Sequence, residues 1–212
     1  MNENIIFSGI VFMGFFAIMN PISGVSIFLT LTNNEDTQTA KKIAFQSVLT
    51  AFIIVVIFSV AGHLILKVFN ISFTALRLTG GILVGFIGYD MLHGKHSSVH
   101  RPSEETIEQT MEEEASVAFA PLGTPLLAGP GVIITAMNFA SSGIYSLIIT
   151  IVNFGLLCII TYYSFLSGKK IKELVGISTL KVITRMMGLI LAVIGMQMLI
   201  EGIYSAIKEF PF

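Results

Sequence analysis

The sequence predicts an all-α membrane protein: six transmembrane helices arranged as two inverted-topology repeats of three, with helices 1 and 4 broken near the membrane midplane. Three observations predict it. Of the 212 residues, 54% are hydrophobic and only 12% are charged, about half the charged share of an ordinary soluble domain. Uncharged stretches long enough to span a bilayer recur along the chain. The two halves on either side of one charged segment carry matching motifs in the same order.

Composition also excludes whole classes. A globule of this size leaves much of its surface to water, which a mean hydropathy of +0.85 does not allow. The same apolar content excludes a disordered chain. Lys plus Arg is 12 against 13 for Asp plus Glu, and no basic patch stands out, so no nucleic-acid partner is expected. Cys158 is the only cysteine, which leaves neither an intrachain disulfide nor a cysteine metal cluster. Trp is absent, so contact with lipid headgroups falls to Tyr, Phe and Lys.

A helix needs roughly 20 apolar residues to cross about 30 Å of hydrocarbon. Met1-Asn2-Glu3-Asn4 lacks the basic start of a signal peptide, so the chain is expected to retain its first span. That span runs through the uncharged stretch from Asn4 to Asn34. The second covers Ile43 to Leu66, uncharged but for neutral His63, and the third covers Ile71 to Leu92, with Arg77 and Asp90 inside. From His93 to Glu114 the chain turns hydrophilic, with Lys95, Arg101 and a run of glutamates from Glu104. Ala115 to Gly168 is uncharged and far too long for one span. Asn138-Phe139-Ala140-Ser141-Ser142-Gly143 supplies turn chemistry that divides it into the fourth and fifth spans. Val182 to Tyr204, containing Arg185 and Glu201, is the sixth. Residues 1–92 therefore read as a first three-helix repeat, 93–114 as a polar linker and 115–212 as a second repeat.

Orientation follows from the basic residues. Lys41, Lys42, Lys95, Arg101, Lys169, Lys170, Lys172 and Lys181 fall in the first, third and fifth loops, whereas Lys67 and Lys208 lie on the other side. The linker is expected to be cytoplasmic, both termini outside, and the chain multi-pass in the plasma (inner) membrane. Lys169 to Lys172 also suits an anchor on lipid headgroups.

Gly88-Tyr89-Asp90-Met91-Leu92 aligns with Gly195-Met196-Gln197-Met198-Leu199, and the same offset brings Gly81 onto Gly188. Pro21 and Pro130 match after a small shift. An odd number of spans in each half makes the second half insert upside down, as in many secondary transporters.

The chemistry is expected where prolines interrupt helices. Met19-Asn20-Pro21-Ile22-Ser23-Gly24 lies within the first span, and Pro121 to Gly131, including Thr124, Gly129 and Pro130, within the fourth. Pro lacks an N–H and clashes with the carbonyl four residues back, and Asn-Pro suits an N-cap followed by a first helical position. A broken helix frees N–H groups on one side and carbonyls on the other, and hydrocarbon cannot satisfy them. The freed N-terminus suits a carboxylate and the carbonyls suit an ammonium group or a cation. A simple kink is the plainer reading of one proline; two at matching repeat positions favour a zwitterion site built from Asn20, Pro21, Ser23, Gly24, Thr124, Gly129, Pro130 and Gly131.

The segments Asn20 to Leu29, Arg77-Leu78-Thr79-Gly80-Gly81 and Pro125-Leu126-Leu127-Ala128-Gly129-Pro130-Gly131 resemble the signatures of the MarC family, and the resemblance covers essentially the whole chain. It implies a six-span, proton-coupled transporter of small neutral amino acids such as glycine or alanine; the residues themselves leave the coupling ion open between H+ and Na+. Ser23 and Ser26 depart from the Gly and Pro often found there in the family, adding hydroxyls near the first break.

Other polar residues are weighed by position. Arg77 is a gate or coupling candidate whose plainer role is anchoring, and Asp90 is a proton-relay candidate close to a solvated helix end. His93, His96 and His100 lack the defined spacing of a metal site and read as loop, so neither metal nor cofactor is expected. Gly80, Gly81, Gly85, Gly88, Gly188 and Gly195 recur at helical spacing, which permits close helix approach and leaves oligomer formation open. No phosphate-binding loop points to ATP. An intramembrane enzyme needs paired catalytic groups, and His63, Asp90 and Glu201 fall at separate helix ends, so the chain is not expected to be an enzyme. The alternatives to amino-acid transport are export of other small solutes and a non-transporting accessory role.

Overall fold

The computed structural model describes residues 2–33, 35–94 and 127–209. The first expected span is two helices, α1 (Asn2–Met19) and α2 (Pro21–Leu31), joined at Asn20. Next come α3 (Thr37–Val68) and α4 (Phe73–Leu92). After the segment outside the described residues follow α5 (Pro130–Ala140), α6 (Ile144–Leu166) and α7 (Gly168–Glu209). The described residues are helical apart from turns and caps.

Local chemistry sets the boundaries. The Asp36 carboxylate accepts from the backbone N–H groups of Gln38 and Thr39, each at 3.1 Å, and so opens α3. Asn70, in the left-handed region with φ 53, closes it. The Asn70 N–H donates to the Lys67 carbonyl and the Ile71 N–H to that of Leu66, the paired bonds of a Schellman end. The Ser72 hydroxyl accepts from the Ala75 N–H at 3.0 Å and caps α4. Gly143, with φ 123, permits the tight turn from α5 to α6.

Four described segments are long and apolar enough to cross a membrane: Thr37–Val68, Phe73–Leu92, Ile144–Leu166 and Lys181–Lys208. Asn4–Met19 and Pro130–Ala140 are shorter apolar helices. The expected fifth loop differs from its reading: residues 168–175 are helical, and the chain breaks only at Gly176, with φ 73 and ψ 152. Its lysines read as loop because they are charged, yet Lys is a good helix former. Of the expected 93–114 linker only His93 and Gly94 are described.

Contacts fix the directions. Ser8 on α1 meets Asn153 on α6, and farther along the Met19 sulfur lies 3.5 Å from the Thr161 hydroxyl oxygen, so α1 and α6 run the same way. Gly131 faces Ile87, while Asn138 meets Arg77, so α5 runs opposite to α4. Helices α4 and α7 are antiparallel and nearly touch through glycines. A Cβ on Gly81 would stand 2.7 Å from the Gly195 carbonyl oxygen, and one on Gly188 2.8 Å from that of Gly88.

The core is aromatic and aliphatic. Phe15 packs edge-on against Phe139 and Phe154, with centroids 5.7 and 5.0 Å apart. Phe28 stacks flat on Phe165 at 4.6 Å, tying α2 to the end of α6; such pairs add about 0.5–1.5 kcal/mol beyond their buried area. The outer faces are also apolar: Ile53, Ile57, Val60 and Leu64 on α3, and Val152, Leu156, Ile159 and Tyr163 on α6, are exposed at three- and four-residue spacing. A soluble fold buries such a stripe; here it faces outward, as a bilayer-facing surface does.

Candidate functional site

Asn20 is the pivot of the first break. Its φ of 41 lies in the left-handed region, which Asn tolerates better than most residues. This differs from the extended backbone expected of an N-cap. Asn20 is instead a link: its N–H donates to the Phe16 carbonyl at 2.9 Å, and its own carbonyl accepts from Gly24 at 3.0 Å. One residue thus closes α1 and opens α2, and Pro21 has no N–H to return to the Ala17 carbonyl. Asn20 and Pro21 are buried.

Of the second expected break only the far side, the start of α5, lies within the described residues. Gly129 caps it in extended conformation (φ −65, ψ 170) with no side-chain hydrogen bond, and Pro130 takes a first helical position, where its missing N–H is harmless. The Ile133 N–H donates to the Gly129 carbonyl at 3.1 Å. The N–H groups of Gly131 and Val132 belong to the first turn and have no intrahelical acceptor. Leu127, Ala128, Gly129 and Gly131 are buried, while Pro130 is exposed.

The two breaks lie at one depth. Phe139 meets the rings of both Phe7 and Phe15, so it stands beside the middle of that stretch of α1. Pro130 is about 14 Å from Phe139 along α5, at about 1.5 Å per residue. Because α5 runs opposite to α1, that distance leads toward Asn20 and Pro21, about 14 Å along α1 from the same level.

Not every expected site residue has a clear role there. A Cβ on Gly24 would stand 3.3 Å from the Phe165 ring, and one on Gly131 2.8 Å from the Ile87 side chain. Both glycines are small because helices press on them. Thr124 and the side chain of Ser23 lie outside the described residues.

Arg77 and Asp90 sit near opposite ends of α4, roughly 20 Å apart at about 1.5 Å per residue. The Arg77 Nε donates to Asn138 Oδ1 at 2.9 Å, and its Nη2 lies 3.8 Å from Glu201 Oε2. Its guanidinium carbon stands 4.9 Å from the Phe73 centroid, and His63 stacks on the same ring at 5.9 Å. Gln197 donates to the other Glu201 oxygen at 3.1 Å. His63 and Glu201, read as belonging to separate helix ends, therefore gather around Arg77 at one end of the bundle. A cavity of about 10 Å³ beside them is lined by Ser59, His63, Phe73 and Ser141, among others.

Sequence reasoning missed two groups. Asn138 was read as turn chemistry but binds Arg77. Thr135 is fully buried, and its hydroxyl has no hydrogen-bond partner among the described residues. Elsewhere Thr32, Ser47, Thr150, Thr161, Ser164 and Ser205 each donate to the carbonyl four residues back. Nothing in an apolar sequence marks which hydroxyl will abstain.

Comparison with known proteins places these features in a family. The model described as "MarC family integral membrane protein" matches residues 4–207. The chain is 41% identical to a UPF0056 membrane protein of Pyrococcus horikoshii, over 93% of this chain and 94% of that one. It is 37% identical to the UPF0056 membrane protein YvbG of Bacillus subtilis, over 91% and 92% respectively. The UPF0056 inner membrane protein MarC of Escherichia coli is 31% identical, over 91% of this chain and 92% of its own. No solved structure matches the chain.

Proposed function

The chain belongs to the MarC family of integral membrane proteins, and on that footing we propose that it is a secondary transporter of small neutral amino acids, of the size of glycine or alanine, working by alternating access. What supports the reading is the break at Asn20 and Pro21 at the same depth as the proline-opened start of α5. The first turn of α5 offers N–H groups for a carboxylate. The interrupted end of α1 offers carbonyls for an ammonium group or a coupling H+ or Na+. To that site we assign Asn20, Pro21, Gly24, Gly129, Pro130 and Gly131, with Ser23 and Thr124 carried over from the sequence pattern alone, and Arg77 and Asp90 as candidates to gate or couple it from the two ends of α4.

The six-span inverted repeat is part of the proposal. It rests on α1 running opposite to α5 and on the glycine seam. The sequence offset pairs Gly81 with Gly188 and Gly88 with Gly195, and a two-fold axis through the seam exchanges the contact of Gly81 and Gly195 with that of Gly188 and Gly88. The inner membrane is the proposed location, with both termini outside and the linker cytoplasmic; the name of the Escherichia coli relative supports the first of these.

The test is counterflow. Proteoliposomes loaded with unlabelled alanine are given labelled alanine or glycine outside, with and without pH or Na+ gradients. Saturable accumulation supports a carrier and identifies its coupling ion. No exchange of any neutral amino acid by folded protein overturns the substrate assignment.

A further inference from the structure

Thr135 is fully buried, and its hydroxyl has no hydrogen-bond partner among the described residues. Its direction follows from its neighbours on α5. Gly131 faces Ile87 and Ile134 faces Gly80, both on α4, while Phe139 faces Gly14 and Phe15 on α1. At about 100° per residue, Thr135 lies about 40° from Gly131 and about 40° from Phe139. It therefore points into the seam between α4 and α1. Helical side chains lean toward the N-terminus, so Thr135 covers the turn that holds the Gly131 and Val132 N–H groups. An unpaired buried hydroxyl is unfavourable in any apolar interior. Six other hydroxyls among the described residues avoid that state by bonding the carbonyl four residues back, whereas Thr135 and the only partly buried Ser59 do not.

We infer that the Thr135 hydroxyl and the first-turn N–H groups of α5 together hold the carboxylate of the transported solute, an assignment that rests on the transport reading above. The hydroxyl donates to one carboxylate oxygen, and the Gly131 and Val132 N–H groups donate to the carboxylate from the helix end. Thr135 is then a specificity residue for the acid group, while the ammonium end is read elsewhere in the site.

The test uses the full chain with Thr135→Val, which keeps the shape and removes the hydroxyl, and Thr135→Ser, which keeps the hydroxyl. Without substrate, T135V unfolds at the same temperature as wild type or higher, because it removes an unpaired polar group. In counterflow with labelled alanine, its KM rises about tenfold or more, and T135S stays near wild type. Competition by propionate, a carboxylate without an ammonium group, weakens in T135V, whereas competition by ethylamine does not. A T135V protein clearly less stable than wild type, or one with unchanged KM beside an active wild type, overturns the Thr135 assignment alone. A wild type that exchanges no neutral amino acid overturns the transport reading and the carboxylate assignment with it.

Discussion

Gly88 and Gly188 face each other backbone to backbone: a Cβ on Gly88 would stand 2.7 Å from the Gly188 carbonyl oxygen, and one on Gly188 2.8 Å from that of Gly88. No side chain fits between α4 and α7 there. Gly88→Ala or Gly188→Ala must push the helices apart, and overpacking of this kind costs about 1–3 kcal/mol. Thermal unfolding in detergent is expected to fall for both. Gly85→Ala, with nothing within 4 Å of its Cβ position, is expected to leave it unchanged.

Asn20 separates backbone from side chain. Its φ of 41 is open to glycine but strained for a β-branched residue, by about 1–2 kcal/mol. Asn20→Gly is expected to insert and fold like wild type yet lose transport, whereas Asn20→Val loses both stability and transport. Unfolding curves beside counterflow rates check this, and an Asn20→Gly protein with full transport would remove the side chain from the site.

The Arg77 cluster divides unevenly. Its bond to Asn138 at 2.9 Å is short and partly buried, whereas Glu201 lies 3.8 Å away and is more exposed. Exposed ion pairs contribute little. Arg77→Met is therefore expected to destabilise by roughly 1.5–3 kcal/mol, the range for a hydrogen bond to a charged group. Glu201→Gln is expected to shift stability by less than about 0.5 kcal/mol. A double-mutant cycle over Arg77 and Asn138 measures the coupling directly.

Two substitutions at Gly131 read the space beside the second break. Its missing Cβ would stand 2.8 Å from the far end of the Ile87 side chain, which can swing away, and 4.0 Å from a Val84 methyl. Gly131→Ala is expected to fold and to transport at a reduced rate. Gly131→Phe is expected to insert without transporting. Surface biotinylation for insertion and counterflow for activity check both.

Asp36 gives a pH signature outside the spans. Hydrogen bonds from Thr39 and from the Gln38 backbone hold its carboxyl below the ordinary value. A lowered carboxyl stabilises the fold above its unfolded pKa, and the effect fades as pH falls through the lower folded value. The start of α3 is expected to stay capped at neutral pH and to fray in strong acid. Amide exchange at Gln38 and Thr39 reports it, and Asp36→Ala abolishes the transition.

The break at Pro21 and the helix start at Pro130 were legible because proline acts locally and fixes a boundary whatever packs around it. Four of the apolar spans were legible for a similar reason, since length and charge decide them. Tertiary pairings were not. Asn138 sits in a turn-like string, and only the fold brings it to Arg77. His63 and Glu201 are far apart in sequence and meet at one end only because α3, α4 and α7 alternate in direction. Gly24 and Gly131 were read as site residues from their place beside prolines, yet Phe165 and Ile87 give them packing duties that no single sequence displays. Thr135 was invisible because its distinguishing property is a bond it does not make.

The glycine seam makes α4 and α7 a fulcrum. Two helices whose backbones touch at Gly81, Gly88, Gly188 and Gly195 have no side-chain cushion to roll over, so sliding one past the other would drive carbonyls into neighbouring ridges. Swivelling about the contact keeps it intact. A pair of spin labels on the outer faces beside the crossing, at Phe86 and Leu189, would then keep nearly constant separation through the proposed transport cycle. Labels out along the lever arms, at Ala75 and Tyr204, would sweep.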